Sequence, residues 1–141
     1  MLSAIVAQRY CGMISSMTQP PITLYGIPNC DTVKKARLWL DAHGRQYRFH
    51  DFKREGVPPQ LLDRWLDALG WEALVNRKGT MWRKLDEAAR AAVVDRASAR
   101  ALLLALSSII KRPVVEWSGN SPDSVTVGFK PAAWLARVPN H

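Results

Sequence analysis

LYGIPNCDTVKKARLWL, residues Leu24 to Leu40, joins a strand-like run to a helix-like run through a turn that carries a cysteine. Ile22 to Tyr25 reads as a short strand, and Gly26-Ile27-Pro28-Asn29 as a turn. From Asp31 to about His43 the period becomes helical. Val33, Ala36 and Leu40 share one face, Lys34, Arg37 and Asp41 the other, and Gly44 is a C-terminal stop. Cys30 therefore sits at the helix start. There the first backbone N–H groups have no helical partner, and the helix dipole adds positive potential. Both favour thiolate over thiol, and cysteines so placed titrate at roughly 3.5 to 7.5 instead of ~8.5. Lys34 and Lys35 add to the effect, and the Asp31 carboxylate opposes it. The plain alternative is a buried cysteine acting as a small apolar residue. Val33 occupies the place where a CxxC motif has its second thiol, so any second thiol must come from elsewhere.

Working outward, Tyr47 to Phe52 alternates as a half-buried strand, which completes a βαβ unit with a parallel pair. Pro59 opens a helix whose apolar stripe is Leu62, Trp65, Leu66 and Leu69, closed by Gly70. Trp71 to Leu106 reads as largely helical, with a break near Asp95 and a basic loop, NRKGTMWRKL, around Gly79. KRPVVEW and SVTVGF read as a hairpin across a turn at Gly119–Asp123, and PAAWLARV as a last helix. The order is βαβα, a helical block, then ββα. It predicts an α/β fold with helices packed on a sheet, and fits a thioredoxin-like fold with a helical insertion between the N-terminal βαβ unit and the C-terminal ββα unit.

Composition narrows the function classes. The chain has 141 residues, 48% hydrophobic and 23% charged, as expected of a folded domain. No apolar run approaches the ~20 residues of a membrane helix. The net charge of +8 is scattered, which ranks an anionic small molecule above nucleic acid. Two cysteines, Cys11 and Cys30, make no disulfide scaffold and point to a reducing compartment, the cytoplasm. Residues 1–16 read as a loose extension, with a misassigned start site as one explanation, and residues 17–141 as a single domain. Cys11 falls in the extension. His43, His50 and His141 have no metal-ligand spacing, so no metal is expected, and no tightly bound cofactor. His50 and Asp51 read as structural, and the six tryptophans as core.

TLYGIPNCDTVKKARLWL, GWEALVNRKGTMWRKL and IIKRPVV, in that order, resemble the arsenate reductase-related (ArsC/Spx) family, most closely its YffB-like branch. The resemblance runs from about Ile22 to the last helix. It implies that Cys30 is the nucleophile. It also implies that Arg77 and Arg112 bind the substrate's anionic part; read alone, Arg77 is a solvated loop arginine. A third family arginine corresponds to Lys130, which keeps the charge but loses the planar fork. In thioredoxin-like folds a cis-proline loop lies against the reactive cysteine, which would make Arg112–Pro113 that loop. Read alone, Pro113 is punctuation at a strand start. Thr32 and the first-turn N–H groups would complete an anion nest. The activity implied is glutathione-dependent thiol–disulfide reduction, with glutathione as co-substrate and glutaredoxin as a further partner. The competing expectation is a Spx-like regulator that contacts RNA polymerase without turnover, although Val33 removes the CxxC switch typical of Spx. True arsenate reduction ranks last, because of Lys130.

Overall fold

The computed structural model describes residues 22–118 and 122–138. The expected extension at residues 1–16, Cys11 and part of the turn at residues 119–123 lie outside them.

Strand β1 (Thr23–Gly26) leads through the Pro28–Asn29 turn into helix α1 (Asp31–Ala42), and the chain returns as β2 (Arg48–Asp51). β1 and β2 pair in parallel, with Thr23 opposite Arg48 and Gly26 opposite Asp51. Short helix α2 (Phe52–Glu55) and helix α3 (Pro59–Leu69) follow. The expected helical block is four pieces: α4 (Trp71–Leu74), α5 (Thr80–Lys84), α6 (Glu87–Ala91) and α7 (Arg96–Ala105). The break near Asp95 has a local cause. Asp95 caps α7 in a capping box with Ser98. A 3-10 turn at Ser107–Ile109 leads to β3 (Val114–Glu116), β4 (Val125–Val127) and helix α8 (Pro131–Arg137). β3 pairs antiparallel with both β1 and β4, giving a four-stranded sheet in the order β2-β1-β3-β4. This is the thioredoxin-like α/β arrangement, with the helical block inserted before the hairpin. Among the described residues no helix is long and apolar enough to cross a membrane.

Strand alternation divides the core into two layers. Leu24 and Val115 face α1 and α8, where Val33, Ala36, Leu40, Trp117 and Trp134 are buried. Tyr25 and Val114 face the other way, against Leu62, Trp65, Leu74, Leu103 and Ile110 from the helical block. Each fully buried Val or Leu stabilises the fold by about 1.5–3 kcal/mol. That burial, rather than intrinsic propensity, holds the short helices in place. The second layer contains a polar cluster: the Glu116 carboxylate accepts hydrogen bonds from the Tyr25 hydroxyl (2.6 Å), Trp65 Nε1–H (3.1 Å) and Arg64. Burial and then the neighbouring carboxylate push the Tyr25 hydroxyl far above the usual phenol range, so it stays a donor. His50 and Asp51 are structural here. His50 Nε2 hydrogen-bonds the Gly56 carbonyl oxygen at 2.8 Å, and the Asp51 side chain caps α2 by accepting from Lys53 N–H.

One close approach sets where α1 begins. Gly26 ends β1 directly against buried Val33, and a Cβ at Gly26 would stand 2.7 Å from Val33 Cγ2. Without a side chain at Gly26, the strand end and the first turn of α1 can lie against each other. The Pro28–Asn29 turn can then deliver Cys30 just beyond the C-terminal end of the central strand β1.

Candidate active site

Cys30 is the N-cap residue of α1, with extended backbone (φ −97°, ψ 125°). Its carbonyl accepts the first helical bond, from Lys34 N–H at 2.9 Å. Its side chain closes no capping hydrogen bond of its own. The half-buried sulfur instead lies within the influence of the helix end and of Arg112. Burial is the largest single influence and raises the thiol's pKa. The Val33 N–H, the Arg112 guanidinium and the Thr32 N–H outweigh it together, and the pKa falls below the ordinary thiol value. The thiolate, the form that attacks sulfur, is therefore more readily formed here than in an ordinary cysteine.

Arg112 is held by its own loop. Nη1 donates to the Ser108 carbonyl (2.7 Å) and to the Ile110 carbonyl (3.3 Å). Nε is buried and finds no acceptor of full hydrogen-bond geometry among the described residues. A buried donor left without an acceptor is costly. An anion in the cleft, or the thiolate itself, would be the acceptor it lacks. The Arg112–Pro113 peptide bond is cis. The Pro113 carbonyl accepts Gly128 N–H at 2.8 Å, and Gly128 adopts a left-handed φ of 85°. The Gly128-Phe129-Lys130 segment is thereby folded over the proline loop.

The result is a cleft of about 280 Å³ lined by Cys30, Thr32, Asn76, Lys111, Arg112, Gly128, Phe129 and Lys130. Among the described residues no carboxylate lines it. Of the residues anticipated from sequence, Cys30, Thr32, Arg112 and Lys130 come together here, around the loop of Pro113. Arg77 does not line the cleft. Its guanidinium lies over the rings of Trp71 (5.6 Å) and Trp82 (5.9 Å). The preceding residue, Asn76, faces the cleft instead. The cause is a tertiary pairing: Val75 bridges Ile110, Asn76 N–H donates to the Ile109 carbonyl (2.9 Å), and Lys111 N–H to the Leu74 carbonyl (2.7 Å). That pairing fixes the register of the loop and also carries Lys111 into the cleft. Neither Asn76 nor Lys111 is picked out by sequence periodicity, since both stand in irregular segments.

Replacing Arg112 by Met should slow alkylation of Cys30 by iodoacetamide near neutral pH by about tenfold or more. A hydrogen bond to a charged group is worth roughly 1.5–3 kcal/mol, and each 1.4 kcal/mol is a factor of ten. The desolvation that raises the pKa remains, while the groups that lower it lose their strongest charge. Arg112→Lys keeps the charge without the fork and should fall between. Thermal melts of both variants check that loss of the Ser108 and Ile110 contacts has not loosened the fold.

The model of the ArsC family matches residues 25–137. An uncharacterized protein of Haemophilus influenzae is 39% identical over 115 residues, spanning 82% of this chain and 96% of its own. A solved structure of a protein named YffB is 50% identical, with a TM-score of 0.76, covering 83% of this chain and 98% of that one. The solution structure of an arsenate reductase (ArsC) related protein from Brucella melitensis is 52% identical, with a TM-score of 0.64, covering 82% and 92%. Cys30, the cis Arg112–Pro113 bond and Lys130 all fall inside the matched region, and by that match the chain belongs to the ArsC family, with a likeness to YffB among its relatives.

Proposed function

We propose that this protein is a glutathione-dependent thiol–disulfide reductase that works through one nucleophile, Cys30. The observation that carries the reading is a thiol with a lowered pKa, set between a helix end and Arg112, in a cleft lined by cations and, among the described residues, no carboxylates. In the first step the Cys30 thiolate attacks the glutathione sulfur of a mixed disulfide RS–SG. The S–S bond breaks, a Cys30–glutathione disulfide forms, and RS⁻ leaves and takes a proton from solvent. In the second step the thiolate of another glutathione attacks the glutathione sulfur on Cys30. Oxidised glutathione leaves, and the Cys30 thiolate is regenerated. The net change is RS–SG plus GSH to RSH plus GSSG, with the electrons supplied by glutathione. Arg112, Lys111 and Lys130 hold the glutathione carboxylates, and Asn76 and the Thr32 hydroxyl offer hydrogen bonds. A thiol pool of the cytoplasmic kind supplies the reductant, and a glutaredoxin is a further candidate donor.

The cleft argues against arsenate as the substrate. Among the lining side chains Arg112 is the one planar guanidinium, and Lys111 and Lys130 supply charge without a fork for a tetrahedral oxyanion. Val33, fully buried under Gly26, leaves no local resolving thiol.

The test is turnover of glutathionylated cysteamine by the purified protein, followed by coupled consumption of NADPH through glutathione reductase. Iodoacetamide reactivity of Cys30 is titrated against pH in parallel. The reading predicts saturable, glutathione-dependent turnover and a reactivity midpoint below that of a free thiol. An ordinary midpoint with no turnover, together with retention of RNA polymerase on the immobilised protein, would replace it with the regulator.

A further inference from the structure

We infer that the protein's disulfide substrate is carried on an acidic polypeptide, which docks on the basic Arg77–Lys84 segment beside the cleft. The inference rests on the reductase reading and names the partner of that same site.

Charge is distributed unevenly over the described residues. On the helical side, basic groups are matched with acids: Arg64 with Glu116, Arg96 with Asp67, and Arg100 with Asp63. The segment Asn76–Lys84 differs. It contains Arg77, Lys78, Arg83 and Lys84 and no acidic residue. All of these side chains are exposed, and none makes an ion pair among the described residues. Lys111 and Lys130 at the cleft are likewise exposed and unpaired.

The two sets adjoin. Asn76 lines the cleft and is followed directly by Arg77. Helix α5 packs on the 3-10 turn that leads to Lys111 and Arg112. Basic side chains therefore continue from the cleft onto the surface outside it, as far as exposed Asp86 and Glu87. A small anion is already provided for by Arg112, Lys111 and Lys130, so it does not explain the charges of the segment. They suit something that extends beyond the cleft.

The chemistry of the segment narrows the partner. Half-buried Trp71 and Trp82 flank exposed Arg77, which lies over both rings. Half-buried Met81 precedes Trp82 in the chain. Trp, Met and Arg are the residue types enriched at protein interfaces, and Trp and Arg are the commonest anchors. Contact with the two rings limits the freedom of Arg77, so less side-chain entropy is lost when a carboxylate binds it. Nucleic acid would also meet the positive charge. It carries no sulfur for Cys30 to attack, whereas a protein with a glutathionylated cysteine does. Complementary charge of this kind acts chiefly on association rate, by tenfold to a thousandfold at low salt.

The experiment uses S-glutathionylated peptides of one length with the cysteine flanked by Asp and Glu, by Ser and Gly, or by Lys. The full chain should turn over the acidic peptide about tenfold or more faster than the neutral one in kcat/KM at low salt. That ratio should fall to about twofold in 0.5 M NaCl, where charges more than a few ångströms apart are screened. In the variant Arg77→Gln/Lys78→Gln/Arg83→Gln/Lys84→Gln the ratio should fall to near one. A triple variant that spares Arg77 keeps the tryptophan stack, and should lose most of the ratio even if the fourfold variant folds poorly. Binding is read separately, by fluorescence anisotropy of fluorescein-labelled unmodified peptides and of a labelled single-stranded oligonucleotide on Cys30→Ser protein. An acidic-to-neutral ratio near one in the parent, a ratio kept in the variants, or tighter binding of the oligonucleotide than of the acidic peptide would each overturn the proposal. If glutathionylated cysteamine is not turned over at all, the reductase reading falls, and the anisotropy comparison still decides whether acidic peptide binds this surface.

Discussion

Cys30→Ser protein should lose disulfide turnover to the uncatalysed background, a drop of at least ~10³-fold in kcat/KM, while melting at or above the temperature of the parent. The loss follows from the proposed chemistry, because serine cannot form the mixed disulfide. The stability expectation follows from the structure. Cys30 occupies the N-cap of α1, and the N–H groups that act on its sulfur, those of Thr32 and Val33, are the ones a capping side chain normally satisfies. Serine is among the preferred residues there, and a good cap is worth about 0.5–2 kcal/mol over a poor one. A cysteine at this position therefore gives up part of a cap in return for reactivity. The pH dependence has a definite sign. The thiol's folded pKa lies below its unfolded value, so the thiolate's contribution to stability is fully present above the ordinary thiol range. It is lost as pH falls through the folded value. The advantage of serine should be greatest in acid and shrink toward alkaline pH. Chemical denaturation at several pH values, beside the coupled turnover assay, measures both halves. A variant that unfolds, or one that still turns over disulfide, contradicts the assignment of Cys30.

Trp134→Ala should destabilise the protein by about 3–5 kcal/mol, the range for removing a buried Trp. That is a large part of the roughly 5–15 kcal/mol that holds a domain of this size together. Trp134 is 1% exposed and anchors α8 to the sheet. It meets Trp39, Trp117 and Phe129 edge to face, with ring centroids 5.4, 5.0 and 4.9 Å away. Removing the indole takes away the large buried surface of this last helix and leaves those rings facing a cavity. Phe129 also lines the cleft beside Cys30. The variant should therefore show a disturbed thiol reactivity in the fraction that remains folded. Trp134→Phe retains edge-to-face contacts and should cost much less. Trp82→Ala is the control: that ring is half-buried and outside the two core clusters' fully buried set, so its loss should cost a fraction of the Trp134 value. Denaturant midpoints rank the three. A Trp134→Ala midpoint close to the parent's would show that α8 is held by something other than this contact.

Much of the architecture was legible from local pattern. The Val33, Ala36 and Leu40 face, the proline at the start of α3, the break at Asp95 and the β3–β4 hairpin all rest on periodicity or capping, which act within a few residues of chain. The helical block was less legible. Trp71 to Leu106 reads as largely helical, yet the chain from Trp71 to Ala91 forms only short pieces separated by turns. Their lengths follow packing against the 3-10 turn and α7, which no single stretch reveals.

The sequence by itself determined the position of the reactive thiol. Cys30 follows a Pro-Asn turn and precedes an amphipathic helix, and an N-cap environment is built by the chain on either side of it. Only the tertiary structure decided which polar groups surround that thiol. Asn76 rather than Arg77 faces the cleft because Val75 pairs with Ile110, across more than thirty residues of intervening chain. Arg77 turns to Trp71 and Trp82 for the same reason. In an irregular loop the choice between adjacent side chains depends on a one-residue register, and that register is set by hydrogen bonds to a segment distant in the chain.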